Sequence, residues 1–261
     1  MKVKAVIDAA ARLRQAEESG TPCANLRDLF DAEDIAAAYA VQTANRDHWL
    51  KAGRRPVGRK IALSAKGAQA MFRTTEPAYG MLYADMLLGD GDEVAKGRVL
   101  QPRLEGEVAM VLDRDLDMEE PTLVDVLRAV GYCLPAIEIV GCRIASLDTK
   151  LVDLVADNAG GGLFVLGGPA RKLDGLDLRR MTMVMTKNGE QVAQGTGANV
   201  AGSPLNALAW LAARLVTDGQ PLKAGDVVMT GTYFAMQPAA PGDQIEVIAE
   251  GLGRCSVSFA A

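Results

Sequence analysis

From Val57 to the C-terminus the chain is a series of short apolar runs broken by Gly, Pro and Asp: GRKIALS, RLEGEVAMVLD, AIEIVG, GLFVLGG, MTMVMT, DVVMTGT, QIEVIAE and CSVSF. Runs of this length, rich in β-branched residues, are strands, and so many in one stretch must close over a common core. Asn188-Gly189 sits between MTMVMTK and EQVAQG. It marks a hairpin, because both central residues of a type I′ turn need positive φ. Gly-Asp precedes the strands in LKAGDVV and APGDQIEV. Only two helices are expected among the strands. PTLVDVLRAV would present Leu123, Val126, Leu127 and Val130 on one face. SPLNALAWLAARLVTDG would be capped by Ser203, carry Pro204 in its first turn and stop at Gly219.

The first part of the chain reads differently. Val3, Val6, Ile7, Ala10 and Leu13 recur at helical spacing. A second helix is expected from an Asp31 cap to Gly53. The expectation is therefore an α+β protein, with a small helical part over residues 1–56 and a β-rich, barrel-like domain over 57–261. With 49% hydrophobic residues in 261, the core can be sizeable.

The net charge of -5 is spread along the chain, and no Lys/Arg block suggests a nucleic-acid partner. No apolar run reaches the roughly 18 residues of a membrane span. The basic start also carries Asp8, Glu17 and Glu18, so it reads as an amphipathic helix and not a leader. The four cysteines, Cys23, Cys133, Cys142 and Cys255, form no CxxC pair and read as reduced thiols of a cytoplasmic protein.

One histidine, His48, lies beside Trp49 in a helical stretch. A multi-histidine zinc site is excluded, and any chemistry must rest on carboxylates, lysine, backbone groups or an oxygen-bound metal. In the strand Arg103–Leu112, Glu105 and Glu107 point the same way, with Cα atoms about 7 Å apart. Glu138 interrupts the apolar run of the next strand, and the helix between the two strands allows them to be neighbours. Three acids together need a positive group among them, and an all-oxygen set suits Mg²⁺, Mn²⁺ or Ca²⁺. Spacing alone leaves a second reading open: a solvated Glu105/Glu107 face, with Glu138 paired to Arg103 or Arg143. Lys60 is either a surface lysine at a strand start or a desolvated proton carrier of lowered pKa. The turn Asp157-Asn158-Ala159-Gly160-Gly161-Gly162 lacks nucleotide-binding spacing. Its glycines leave room for backbone N–H groups to approach a small carboxylate, or make a plain flexible turn.

Taken in order, GRKIALSAKGAQ, EPAYGMLYADM, QPRLEGEVAMVLDRDL, LPAIEIVGCRI, VADNAGGGLFVLGG, KNGEQVAQGTGANVAGSPLNALAWLA, LKAGDVVMTGT and GDQIEVIAEGLG resemble the 2-keto-4-pentenoate (2-hydroxypentadienoate) hydratase family of the fumarylacetoacetate hydrolase superfamily. The resemblance runs from about Asp31 to the C-terminus. It implies Mg²⁺ or Mn²⁺ on Glu105, Glu107 and Glu138, with Lys60 as the catalytic residue of a G-x-K-[IM]-G-L-[TS] stretch. Asp157, Asn158, Gly160 and Gly161 would frame a small 2-oxo or 2-hydroxy-dienoic acid. The implied reaction is hydration of a 2-hydroxy-2,4-dienoate to a 4-hydroxy-2-oxo acid in aromatic catabolism, by a homo-oligomer that associates with a sister pathway enzyme. Two positions depart from the pattern. Ala62 replaces a glycine, and Ala78, in Pro77-Ala78-Tyr79-Gly80, replaces an acid. These keep three alternatives open: 4-oxalocrotonate decarboxylation, acylpyruvate hydrolysis, and a non-catalytic subunit retaining the fold.

Overall fold

The structure is a computed structural model and describes residues 3–145 and 148–261. Two helices open the chain, α1 (Val3–Ser19) and α2 (Ile35–Lys51). α1 buries Val6, Ala9, Ala10, Leu13 and Ala16. Val3 and Ile7, expected on that face, are exposed: the seam is an alanine stripe that lets α1 approach α2 closely, and both larger side chains fall at its rim. The α2 cap is Asp34, not Asp31. Asp34 accepts from the Ala37 N–H at 2.9 Å, while Asp31 accepts from Glu33 in the preceding turn.

β1 (Pro56–Ala62) starts the β-rich body. α3 (Lys66–Met71) and β2 (Ala78–Tyr83) follow, then the short β3 (Leu87–Leu88) and β4 (Glu93–Val94). β5 (Arg103–Leu112), α4 (Leu123–Ala129) and β6 (Val130–Val140) form one long antiparallel pair with its connecting helix. α5 (Leu151–Ala156) and β7 (Leu163–Leu166) come next. β8 (Thr182–Lys187) and β9 (Glu190–Thr196) meet at the expected Asn188-Gly189 turn, where both residues have positive φ. α6 (Pro204–Thr217) is followed by β10 (Val227–Met229), β11 (Gln237–Pro238), β12 (Gln244–Ala249) and β13 (Gly253–Phe259).

The larger sheet runs β2-β1-β10-β5-β6-β7-β3, with β11 paired to β5. The smaller runs β4-β13-β12-β8-β9, and β12 and β13 pack against β6. One apolar cluster fills the space between the sheets and under α6; a second joins α1, α2 and α5 to the start of β2. The α+β, β-rich architecture is the one the sequence predicts.

Among the described residues four helices and not two lie between the strands, the six-residue α3 and α5 being unexpected, and the two expected helices differ in detail. α4 buries Val126 and Ala129 but exposes Leu123, Val124 and Leu127, so its buried face is rotated from the one expected. Thr122 caps it, with Asp125 accepting in return from Thr122. α6 begins at Pro204 as expected, but the Ser203 side chain makes no capping hydrogen bond.

Candidate active site

β5 and β6 are in a register that sets Glu105 opposite Glu138. Both faces of β5 are covered, so its carboxylates point into the protein interior and not into water. Glu105 is 9% exposed, Glu107 0% and Glu138 1%. One oxygen from each lies within 4.8 Å of the others. The solvated-face reading is thereby overturned. So is the pairing of Glu138 with an arginine: its partner is Lys60, Nζ to Oε1 at 2.9 Å, whereas Arg143 pairs with Asp157 and Arg103 is exposed.

Lys60 reaches this place because β1 lies next to β10, which lies next to β5. It is 1% exposed, and its ammonium donates to the Ala159 carbonyl at 2.8 Å. Burial alone works against its charge, but Glu138, Glu105 and Glu107 outweigh burial and hold its pKa above the usual lysine value. The lowered pKa expected from desolvation is therefore reversed by three nearby carboxylates. These pay for their proximity in turn. Burial first, then the Glu138 charge, pushes Glu105 up to about 7. Glu107 is also raised, by burial first and then by the Glu138 and Glu105 charges, against a 2.7 Å hydrogen bond from the Gly231 N–H to its Oε2. Glu138 is also raised by burial, and Lys60 opposes that shift.

One lysine cannot balance three acids. Among the described residues, Glu107 Oε1 and Glu138 Oε2 accept no hydrogen bond although both are fully buried. Orphaned, converging carboxylate oxygens are what a hard divalent cation satisfies. The residues present fit such an ion.

A cavity of about 500 Å³ opens from this cluster. Lys60 and Glu105 lie at its polar end, and Leu63, Met71, Phe72, Leu154, Phe234 and Met236 supply apolar wall. Sequence reasoning had not singled out Phe234 in the cavity wall, nor the Gly231 N–H that donates to Glu107. The signal for Gly231 was its place in Met229-Thr230-Gly231-Thr232, where φ is +108°.

The turn Asp157–Gly162 divides in two. Ala159 lines the cavity. Asp157, Asn158, Gly161 and Gly162 line a smaller cleft on the other side, toward α1 and α2. The Asp157 carboxylate accepts from the Arg143 guanidinium and from the Arg143 N–H. Asn158 bridges the backbone of Met81, accepting from its N–H at 2.7 Å and donating to its carbonyl at 3.0 Å. Gly160 is buried at φ +76° and lines neither space. The two departures from the family pattern meet: Ala62 on β1 is the register partner of Ala78 on β2. Ala62 lines the cavity, while Ala78 is buried in the second apolar cluster. His48 is exposed, edge-on to Trp49.

Residues 38–260 match the family described as fumarylacetoacetate (FAA) hydrolase C-terminal. The chain belongs to the fumarylacetoacetate hydrolase family. It is 48% identical to 2-keto-4-pentenoate hydratase 2 of Dechloromonas aromatica (strain RCB), over 97% of this chain and 96% of that one. It is 45% identical to the TodF product hydratase of Pseudomonas putida F1, over 98% and 96%. Among solved structures, 4-oxalocrotonate decarboxylase from Pseudomonas putida G7, complexed with magnesium and adipate, superposes with a TM-score of 0.95 at 33% identity, covering 99% of this chain and 98% of that one. The fold is thus of fumarylacetoacetate hydrolase type. Among the described residues no helix is long and apolar enough to cross a membrane.

Proposed function

We propose that this family member is a metal-dependent hydro-lyase that hydrates a 2-hydroxy-2,4-dienoate of the 2-oxopent-4-enoate type to a 4-hydroxy-2-oxo acid, in the breakdown of aromatic ring-cleavage products. The observation that carries it is the buried Glu105–Glu107–Glu138 cluster, with unpartnered oxygens, beside Lys60 at the polar end of an apolar cavity.

Glu105, Glu107 and Glu138 would hold Mg²⁺ or Mn²⁺. When bound, the ion supplies Lewis-acid polarisation of the substrate's 2-oxygen. The rest falls to the chain. Lys60, held between Glu138 and the Ala159 carbonyl, is charged and fixed, and a cation on the three acids would offset the carboxylates that hold its proton and so suit it to donate. The 2-hydroxydienoate loses its hydroxyl proton and gains one at C5, giving a 2-oxo-3-enoate. Water then adds at C4 and a proton at C3. Lys60 is the carrier for these transfers. The apolar wall lines the hydrocarbon end and keeps bulk water from it. Framing of the substrate by the 157–162 turn is assigned to its backbone at Ala159, since the Asp157 and Asn158 side chains are engaged on the far side.

A second reading, decarboxylation of a 2-oxo-enedioate, is favoured by the likeness to the decarboxylase and by the missing acid at Ala78. Against it, Lys60 is the one Arg or Lys among the described residues that lines the cavity, and Glu138 already engages it. A second, distal carboxylate would lack a partner. Product analysis with Mg²⁺ separates the readings. 2-Hydroxypenta-2,4-dienoate should give the 4-hydroxy-2-oxo acid, and 2-oxohex-3-enedioate should release little CO₂; the reverse pattern makes the chain a decarboxylase. Absence of divalent binding by calorimetry would return it to a non-catalytic subunit. Assembly into a homo-oligomer that also meets a sister enzyme is supported by the family resemblance, and a cytoplasmic location by four free thiols.

A further inference from the structure

Ser64 follows Lys60 by four residues, just beyond the end of β1. Leu63 before it has φ +56°, a left-handed conformation that turns the chain out of the strand. The turn directs Ser64 inward: it lines the cavity and is 3% exposed. Its backbone is fixed, because the Ser64 carbonyl accepts from the Ala201 N–H at 3.0 Å. Its hydroxyl is not fixed. Among the described residues the Ser64 Oγ has no hydrogen-bond partner, whereas Lys60, Asn199, Thr232 and Tyr233, which also line the cavity, each donate to a backbone carbonyl. A buried hydroxyl without a protein partner normally has water or a ligand as partner.

Its neighbour says which end of the ligand that is. A Cβ built on Gly231 would fall 2.1 Å from Ser64 Oγ and 2.6 Å from Ser64 Cβ, so the serine lies directly against the Gly231 backbone. Gly231 N–H is the donor to Glu107 Oε2. The hydroxyl therefore sits one residue removed from the carboxylate cluster, at the polar end of the cavity. Glycine at 231 is required there twice, by its φ of +108° and by the room the serine takes.

We propose that Ser64 Oγ is a substrate-binding donor that hydrogen-bonds the carboxylate end of the 2-oxo acid and sets its position beside the acidic cluster. The proposal rests on the reading of this cavity as a 2-oxo-acid site. The donor is neutral and the acceptor ionised, so losing the bond should weaken binding about 10- to 100-fold.

The test uses the full chain with Mg²⁺. Calorimetric titration with 2-oxopentanoate, an unreactive saturated analogue, measures the head-group contact without turnover, and Mg²⁺ is titrated separately. Ser64→Ala should lose 10- to 100-fold in affinity for the analogue and raise KM for the dienoate by a similar factor. Mg²⁺ affinity and melting temperature should stay at wild-type values, and Ser64→Thr, which keeps a hydroxyl, should recover most of the loss. Unchanged analogue affinity in Ser64→Ala overturns the proposal, as does a parallel fall in Mg²⁺ affinity, which would make the serine a support of the metal site. If wild type itself fails to bind the analogue, the reading of the cavity fails first, and the two failures are told apart by that control.

Discussion

The turn from Asp157 to Gly162 separates two buried groups of charges that solve the same problem in opposite ways. On the α1/α2 side, Asp157 faces Arg143, whose guanidinium also donates to the carbonyls of Asp157 and Gly161. Each charge there has a counter-charge and a set of hydrogen bonds. On the cavity side, three carboxylates share one ammonium, and some of their oxygens have no donor. Buried ions are tolerated when paired and satisfied. The first group meets that condition within the chain, and the second meets it only when something positive enters. The balanced group reads as architecture and the unbalanced one as a site.

The widest contrast should come from removing one acid on each side. Glu107→Gln or Glu138→Gln should lower activity by at least about 100-fold and weaken Mg²⁺ binding, because a coordinating charge is lost. In chelator Glu107→Gln, which leaves the Lys60–Glu138 pair intact, should melt no lower than wild type. Asp157→Asn should do the opposite, costing about 3–5 kcal/mol of stability by stranding Arg143. Calorimetric melting of both variants decides: a Glu107→Gln apoprotein that melts well below wild type would erase the distinction.

Lys60→Ala should cost about 10²- to 10⁴-fold in turnover, yet leave Mg²⁺ bound at least as tightly, since a competing positive charge is gone. Rate and calorimetry together check this. Wild-type turnover would remove Lys60 from the chemistry.

A smaller effect should be seen with pH. Glu105 has a folded-state pKa raised to about 7 from an ordinary value near 4.5. A raised carboxyl stabilises the fold below its unfolded pKa, and that contribution is lost as pH rises through the folded one. In chelator the melting temperature should fall between roughly pH 4.5 and 7 and level off above, and saturating Mg²⁺ should flatten the slope. A slope unaffected by Mg²⁺ would show that the cluster and the ion are not linked.

The smallest change expected is a gain. Because Ala62 and Ala78 are register partners, Ala62→Gly combined with Ala78→Asp restores both departures from the family pattern at one spot. Hydration of 2-hydroxypenta-2,4-dienoate should rise several-fold; a slower double variant would show that this chain does not need an acid there.

The two sides were not equally legible in the sequence. Glu105, Glu107 and Glu138 stand out because each interrupts an apolar strand, where an ionised group is hard to explain otherwise. Strand pairing brought them together because the β5-α4-β6 connection was readable. The Arg143–Asp157 pair could not be seen, since nothing local ties residues 14 positions apart across a turn. α5 was missed because six residues, Leu-Val-Asp-Leu-Val-Ala, are too short to show a period. β2 was missed because all six of its residues are buried and no alternation survives. The Asp31 cap failed because three acids, Asp31, Glu33 and Asp34, crowd that turn, and only hydrogen-bond geometry tells which one caps.

Gly106, between the two β5 glutamates, faces the other side of the sheet. A Cβ placed there would come within 2.5 Å of the Phe234 ring and 2.9 Å of the Met183 sulfur. Phe234 is itself part of the cavity wall. A methyl at 106 would therefore move the ring, and through it redraw the space offered to a ligand's tail, without touching any acid or the lysine. Substrate preference in this chain can drift from behind the sheet, through a position that a survey of the cavity surface would never include. Gly106→Ala should be visible as an altered ratio of kcat/KM between short and longer dienoates, with the magnesium affinity unmoved.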